Sequence, residues 1–212
     1  MTSNIRLFLV RHGTTNANED GLFLGQTDSP LNENGRAEAQ ALAQRLAGAD
    51  IDLMIASDLA RARETAEIIA LAHPNLELSL DKRLREIHLG EFDGLPADQV
   101  HAEHPETIQA WINNPSSARM PGAGAETLGE VQARMWKLVE EITKDGSAQN
   151  IMLVSHTFAI LSLVCKVLDI NLDRFRNLFI DRGSISEIRW GRFGPALACF
   201  NDTAHLKNLQ TP

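Results

Sequence analysis

Two histidines in this chain each follow a short apolar run. Ile5 to Val10 leads into Arg11, His12 and Gly13, and Ile151 to Val154 leads into Ser155 and His156. A neutral imidazole is a nucleophile or a hydrogen-bond donor near pH 7, and a guanidinium is a permanent planar donor of several N–H groups. Arg11 beside His12, with Arg61 in the stretch ASDLAR, therefore suits a phosphoryl group, whose charge spreads over three equatorial oxygens. Taken singly the signals are weak. Arg-His-Gly could close any strand at the surface, and Arg61 could pair with Glu64 or contact Thr65 on its own helix. The elements that carry these residues have to bring them together.

Ile5 to Val10 is expected to be a buried strand. Thr14 to Pro30, rich in Gly, Asn, Asp and Thr, is expected to be a loop with turns at Gly21, Gly25 and Asp28-Ser29-Pro30. Asn32 caps a helix to about Leu46, and Gly48 ends it; Leu53 to Ala56 is a second strand, and Ser57-Asp58 opens a helix through about Ala72. Leu76 to Leu80 alternates as a third strand. Pro96, Pro105, Pro115 and Pro121 then punctuate two short helical pieces around His101 and Trp111, so residues 92–125 suggest a helical cap inserted in one domain, 1–212. Thr127 with Glu130 forms a capping box, and Val131, Met135, Leu138, Val139 and Ile142 make the inner face of a helix ending near Gly146. A fourth strand, Ile151 to Val154, precedes an apolar helix to Leu168, and Ser184 to Trp190 and Ala196 to Phe200 are the last strands, joined by a Gly191 to Pro195 turn.

Strands alternating with helices predict an α/β fold: a three-layer α/β/α sandwich with a mostly parallel sheet. In such a sheet the C-terminal strand ends form one rim, where ligands bind. Arg11, His12, Arg61 and His156 would converge there, with helix N-termini adding positive ends.

Composition bounds the partners. The chain has 212 residues, 43% of them hydrophobic, and a formal net charge of -8. With a pI near 5.3 it lacks the cationic surface that nucleic acid or an anionic membrane needs. Its first residues carry no leading basic segment and only a six-residue apolar run with Arg6 inside it, so neither signal peptide nor anchor is expected. A cytoplasmic location is the expectation. Cys165 and Cys199 are far apart in apolar surroundings with no CxxC, which favours free thiols in the core over a disulfide or a metal.

Six stretches in order, LVRHGTTNAN, GQTDSPLNENG, ASDLARARETA, LREIHLGEFDG, PGAGAET and LVSHT, resemble the histidine phosphatase superfamily, which includes cofactor-dependent phosphoglycerate mutases and small phosphatases. The resemblance covers nearly the whole chain. It implies that His12 is the nucleophile that becomes a phosphohistidine, that Arg11, Arg61 and His156 clamp the phosphoryl oxygens, and that Glu86 donates the proton to the leaving group. Asn18 and the backbone N–H of Gly25 would add hydrogen bonds. No cofactor and no metal are implied, and the partner would be a small-molecule phosphate ester bound by a monomer or homodimer. Three positions depart from the family's pattern: Thr14 stands where Glu is common, Leu24 where a polar side chain is common, and Thr157 where Gly is common. His205, in NDTAHL, is a candidate to close over the pocket from the C-terminal tail, whereas His101 and His104 suit a solvated helix face.

The residue types fit those implied roles. His12 must be unprotonated to attack phosphorus, and neighbouring cations favour the neutral imidazole. Glu86 must instead hold a proton near neutral pH, which needs a raised pKa. A metallohydrolase is disfavoured because HExxH, clustered CxxC and Asp-rich metal loops are absent, and two arginines would repel a divalent cation. A serine hydrolase through Ser155 and His156 lacks G-x-S-x-G. A binding module that had lost its chemistry would be expected to lack His12 or Glu86.

Hydrolysis is expected over mutase activity. Between Phe92 and Ala125 the sole permanent cation is Arg119, against Asp93, Asp98, Glu103 and Glu106, and the segment after Glu86 is IHLG where phosphoglycerate mutases carry RHYG. With Leu24, Leu89, Phe92 and Trp111 nearby, an apolar and permissive leaving-group pocket is expected. The resemblance points to broad-specificity, α-ribazole and phosphoserine phosphatases without choosing between them, and a phosphoglycerate mutase is the alternative.

Overall fold

A computed structural model of the chain describes residues 5–209. Its centre is a six-stranded sheet made by β1 (Arg6–Arg11), β2 (Leu53–Ala56), β3 (Leu78–Leu80), β4 (Asn150–Ser155), β5 (Ile185–Gly191) and β6 (Gly194–Asp202) in the order β3-β2-β4-β1-β5-β6. The first four run parallel; β5 is antiparallel to β1, and β6 to β5.

The strands alternate between two cores, which is why both faces need helices. Leu7, Leu9, Ile151 and Leu153 enter one apolar cluster, and Phe8, Val10, Met152 and Val154 enter the other. Helices α2 (Glu33–Leu46) and α3 (Ala60–Ala70) close the second cluster through Leu42, Leu46, Ala62, Ala66 and Ile69. Helices α6 (Leu128–Asp145) and α7 (Thr157–Val167) close the first through Met135, Leu138, Leu163 and Val164. The α/β/α sandwich is as expected.

Local signals account for most boundaries. Both halves of the Thr127/Glu130 capping box form, and α6 ends on Gly146 at φ 68°, the left-handed C-cap that glycine adopts without a Cβ penalty. Pro105 sits in the first turn of α5 (Pro105–Asn113), which follows α4 (Ala97–Glu103) in the segment between Phe92 and Thr127.

Four expectations are corrected. The loop after β1 contains one helical turn, α1 (Asn16–Glu19), because Thr15 and Asn18 form their own capping box. Helix α3 starts at Ala60, later than Ser57-Asp58, since Asp58 pairs with Arg85 and the Ala60 amide is capped from a distance by Asp28 at 2.7 Å. Strand β3 begins at Leu78, because a turn ending in the Leu76 to His73 amide bond takes the preceding residues. Cys199 is exposed on β6; only Cys165 is buried. No helix among the described residues is long and apolar enough to cross a membrane.

Candidate active site

Strand register builds the rim. Arg11 pairs with Ser155 across β1 and β4, and Ala56 with Val154 across β2 and β4, so the next residues His12, His156 and Ser57 emerge side by side. The His12 amide donates to Ser155 O at 3.0 Å and prolongs the ladder by one step. The loop then passes so close to α2 that a Cβ on Gly13 would lie 2.6 Å from Gly35 O, a separation only glycine permits.

His12 is 3% exposed and His156 is fully buried, with ring centroids 5.0 Å apart. Nδ1 of His12 lies 2.7 Å from Gly13 O. A carbonyl only accepts, so Nδ1 carries the proton and Nε2 keeps its lone pair. The pKa of His12 falls well below its ordinary value, first through burial and then through Arg61 and Arg11. His156 is lowered well below its ordinary value for the same first reason, with Arg61 next. Its Nδ1 accepts from Nε of Arg61 at 3.2 Å, and its Nε2 is buried without a partner among the described residues.

Arg61 is completely buried, and it does not pair with Glu64. Its terminal nitrogens donate to Gly25 O at 2.7 Å and Thr27 O at 3.1 Å, while Glu64 is engaged by Arg36. Thr65 does contact it, donating to Arg61 O and accepting the Gly13 amide. Arg11 donates to Ile180 O at 2.7 Å and leaves a buried Nε unpartnered among the described residues; burial lowers its pKa to about 10.

Glu86 reaches the same rim from the loop after β3. Its carboxylate accepts the amides of Ile87, Phe158 and Ala159 at 2.9 to 3.3 Å, so it sits on the N-terminus of α7. Burial raises its pKa, while those amides and the nearby Arg61 and Arg11 pull it the other way.

The remaining expected residues lie elsewhere in the hydrogen-bond network. The Gly25 N–H, expected to face a ligand, is taken by Asp93 Oδ1 at 3.0 Å, and it is the Gly25 carbonyl that meets Arg61. Asn18 uses its Oδ1 on the Thr15 amide, which leaves Nδ2 as its side-chain donor. Leu24 is half-buried. Thr157 opens α7 and lines a cleft together with Arg11. His205 donates to Gly183 O at 2.9 Å, and the Gly183 amide donates to Arg11 O and His12 O; it is Leu206 of the C-terminal tail, and not His205, that lines the cleft. His88, His101 and His104 are off the rim: His88 accepts the Gly90 amide, and the other two are exposed against Phe23 and Phe92.

Three groups escaped the sequence. Asp93 accepts the amides of Gly25, Gln26 and Thr27. Arg134 on α6 donates to the carbonyls of Arg83, Arg85 and Glu86 and pairs with Glu126. Arg182 donates to Thr14 Oγ1 at 3.0 Å. Asp93 stood inside a quoted motif, but its partners lie far away in sequence; Arg134 stood on the polar face of a helix whose apolar face was the visible signal.

Two basic side chains, two neutral imidazoles and one buried carboxylic group around one rim can hold a tetrahedral oxyanion, attack it and move a proton. A sequence profile of the histidine phosphatase superfamily (branch 1) matches residues 7–203. Phosphoserine phosphatase 1 of Hydrogenobacter thermophilus is 32% identical over 202 residues, covering 95% of this chain and 94% of its own length. A Yersinia pestis protein named "Probable phosphoglycerate mutase GpmB" is 33% identical over 207 residues, covering 95% of each. The α-ribazole phosphatase of Shigella flexneri superposes with a TM-score of 0.84 at 27% identity, over 93% of this chain and 96% of that one. The chain belongs to the histidine phosphatase superfamily, branch 1.

Proposed function

We propose that the protein is a phosphomonoesterase that hydrolyses small phosphorylated metabolites without a metal, through a phosphohistidine on His12. The observation that carries this is the Nδ1 to Gly13 O bond, which leaves Nε2 of a neutral, buried imidazole as the free nucleophile among Arg11, Arg61 and His156. In the first step Nε2 attacks phosphorus, the phosphorus to ester-oxygen bond breaks, and Glu86 gives that oxygen its proton. In the second, the Glu86 carboxylate takes a proton from water, the resulting hydroxide attacks phosphorus, and the phosphorus to nitrogen bond breaks to restore His12. The guanidiniums and the Nε2–H of His156 stabilise the oxygens throughout.

The alternative, phosphoglycerate mutase activity, takes support from the 33% identity to the protein of that name. Against it, Arg119 is held by Glu130 at 2.7 Å and by Ala125 O, so the sole arginine or lysine between Phe92 and Ala125 is already paired. The test is phosphate release from p-nitrophenyl phosphate in EDTA, together with trapping of the phosphoenzyme. We expect full activity in EDTA and an acid-labile, alkali-stable phosphoenzyme that His12→Ala abolishes. Loss of activity in EDTA that zinc or magnesium restores, or a phosphoenzyme that survives His12→Ala, would overturn it; conversion of 3-phosphoglycerate to 2-phosphoglycerate faster than phosphate release would restore the mutase.

A further inference from the structure

Arg182 lies just before β5, and its Nε is anchored on Oγ1 of Thr14 at 3.0 Å. That hydroxyl donates in turn to Glu38, whose carboxylate also takes the Thr14 amide at 2.8 Å. A threonine at position 14 makes this possible, since a carboxylate there would stand against Glu38. With Nε fixed, the two terminal nitrogens of Arg182 meet no acceptor among the described residues. They form a planar fork of N–H donors.

A cleft of about 430 Å³ opens beside this fork, lined by Arg11, Thr157, Leu178, Phe179, Asp181 and Arg182 among others. That is the size of a small-molecule site. Arg11 clamps the phosphoryl position, and Thr157 lies between His156 and Phe158, whose amide holds Glu86. The cleft therefore meets the rim through Arg11 and Thr157. The charge of Arg182 is also felt at both Arg11 and His12.

The acids in the cleft limit what the fork can take. Glu38 is engaged by Thr14, and Asp181 accepts from Nδ2 of Asn201 at 2.9 Å, yet both are acidic side chains that oppose a second phosphate dianion. A carboxylate carries one charge and matches a guanidinium fork in plane and spacing. We propose that Arg182 reads a carboxylate on the alcohol part of the substrate, so that phosphate esters of hydroxy acids are preferred over neutral esters of the same length. This deepens the phosphomonoesterase reading and rests on it.

The test uses matched pairs that differ only at the carboxylate carbon: 3-phosphoglycerate against glycerol 3-phosphate, and phosphoserine against phosphoethanolamine. The ratio of kcat/KM within each pair is measured for the wild type, Arg182→Gln and Arg182→Lys. We expect the wild type to favour the carboxylated member tenfold or more, Arg182→Gln to cut that ratio at least tenfold chiefly through KM, and Arg182→Lys to fall between. A merely structural loss would lower both members together and leave the ratio unmoved. Release of phosphate with a ratio near one, or with a ratio that Arg182→Gln does not change, would overturn the proposal while sparing the phosphatase reading; no release from any of the four esters or from p-nitrophenyl phosphate would overturn both.

Discussion

Arg61 donates its Nε–H to Nδ1 of His156 across 3.2 Å. A guanidinium has no lone pair to offer, so the bond has one direction, and it places the His156 proton on Nε2. That nitrogen is buried without a partner among the described residues, and leaving a buried donor unmade is costly unless a ligand meets it. The two residues come from different strand ends, Ala56 and Ser155, which the parallel register sets level. Arg61 thus does two things at once: it orients a histidine and ties down the carbonyls of Gly25 and Thr27.

Arg61→Lys tests that double role. A lysine keeps the charge but lacks the planar fork that sends one N–H to an imidazole and others to two separate carbonyls. Loss of one preorganised donor costs about 10²- to 10³-fold in kcat. We expect a fall in that range, with His156→Ala in the Arg61→Lys background adding little, since both changes remove the same oriented donor. Steady-state kinetics of the two single variants and the double variant check it; fully additive losses would count against the coupling.

Much of this was legible in the sequence. Arg11, His12, Arg61, Glu86 and His156 all reach one rim, because alternating strands and helices force parallel strand ends together, and apolar runs fix which residues those ends are. What stayed hidden is pairing between residues distant in the chain. Nothing in the spacing of Gly25 and Asp93 shows that a carboxylate will claim the glycine amide, or that Arg182 will find Thr14 across most of the chain. The helix start at Ser57-Asp58 failed for the same reason, because Asp58 has a stronger partner in Arg85, bound through both oxygens at 2.6 Å. Local rules read caps and periods; they do not see which distant group competes for a side chain.

Glu86 should set the alkaline limb of activity. Burial raises its pKa, so the proton needed by the leaving group is retained to higher pH than on an ordinary carboxylate, and is lost as pH rises through the shifted value. His12 lies well below its ordinary pKa and stays neutral across the same range, so it adds no loss on that side. We expect kcat for an alkyl phosphate to decline on the alkaline side, and Glu86→Gln to flatten that decline while lowering kcat by about 10²-fold or more. For p-nitrophenyl phosphate, whose leaving group needs little proton assistance, the loss should be under about tenfold. Equal losses on alkyl and aryl esters would deny Glu86 the proton-donor role.

Asp93 is predicted to act on catalysis at one remove, through the loop that holds Arg61. Its Oδ1 accepts the amides of Gly25 and Thr27, both at 3.0 Å, and its Oδ2 accepts that of Gln26 at 2.7 Å. The carbonyls of Gly25 and Thr27 are the acceptors for Arg61, so the two faces of these peptides are gripped by Asp93 and Arg61 together. The fit is close: a Cβ on Gly25 would lie 2.6 Å from Asp93 Oδ2. Hydrogen bonds to a charged acceptor contribute about 1.5 to 3 kcal/mol each, reduced where the donors reach water on removal of the partner. Asp93→Ala should therefore destabilise the fold by about 2 kcal/mol in urea unfolding and, by loosening Arg61, lower kcat/KM by about tenfold. Asp93→Asn retains one acceptor oxygen in place and should recover a large part of both. If Asp93→Ala lost stability with kcat/KM unchanged, the loop would be a structural tie only, and Arg61 would be held in place by its own burial.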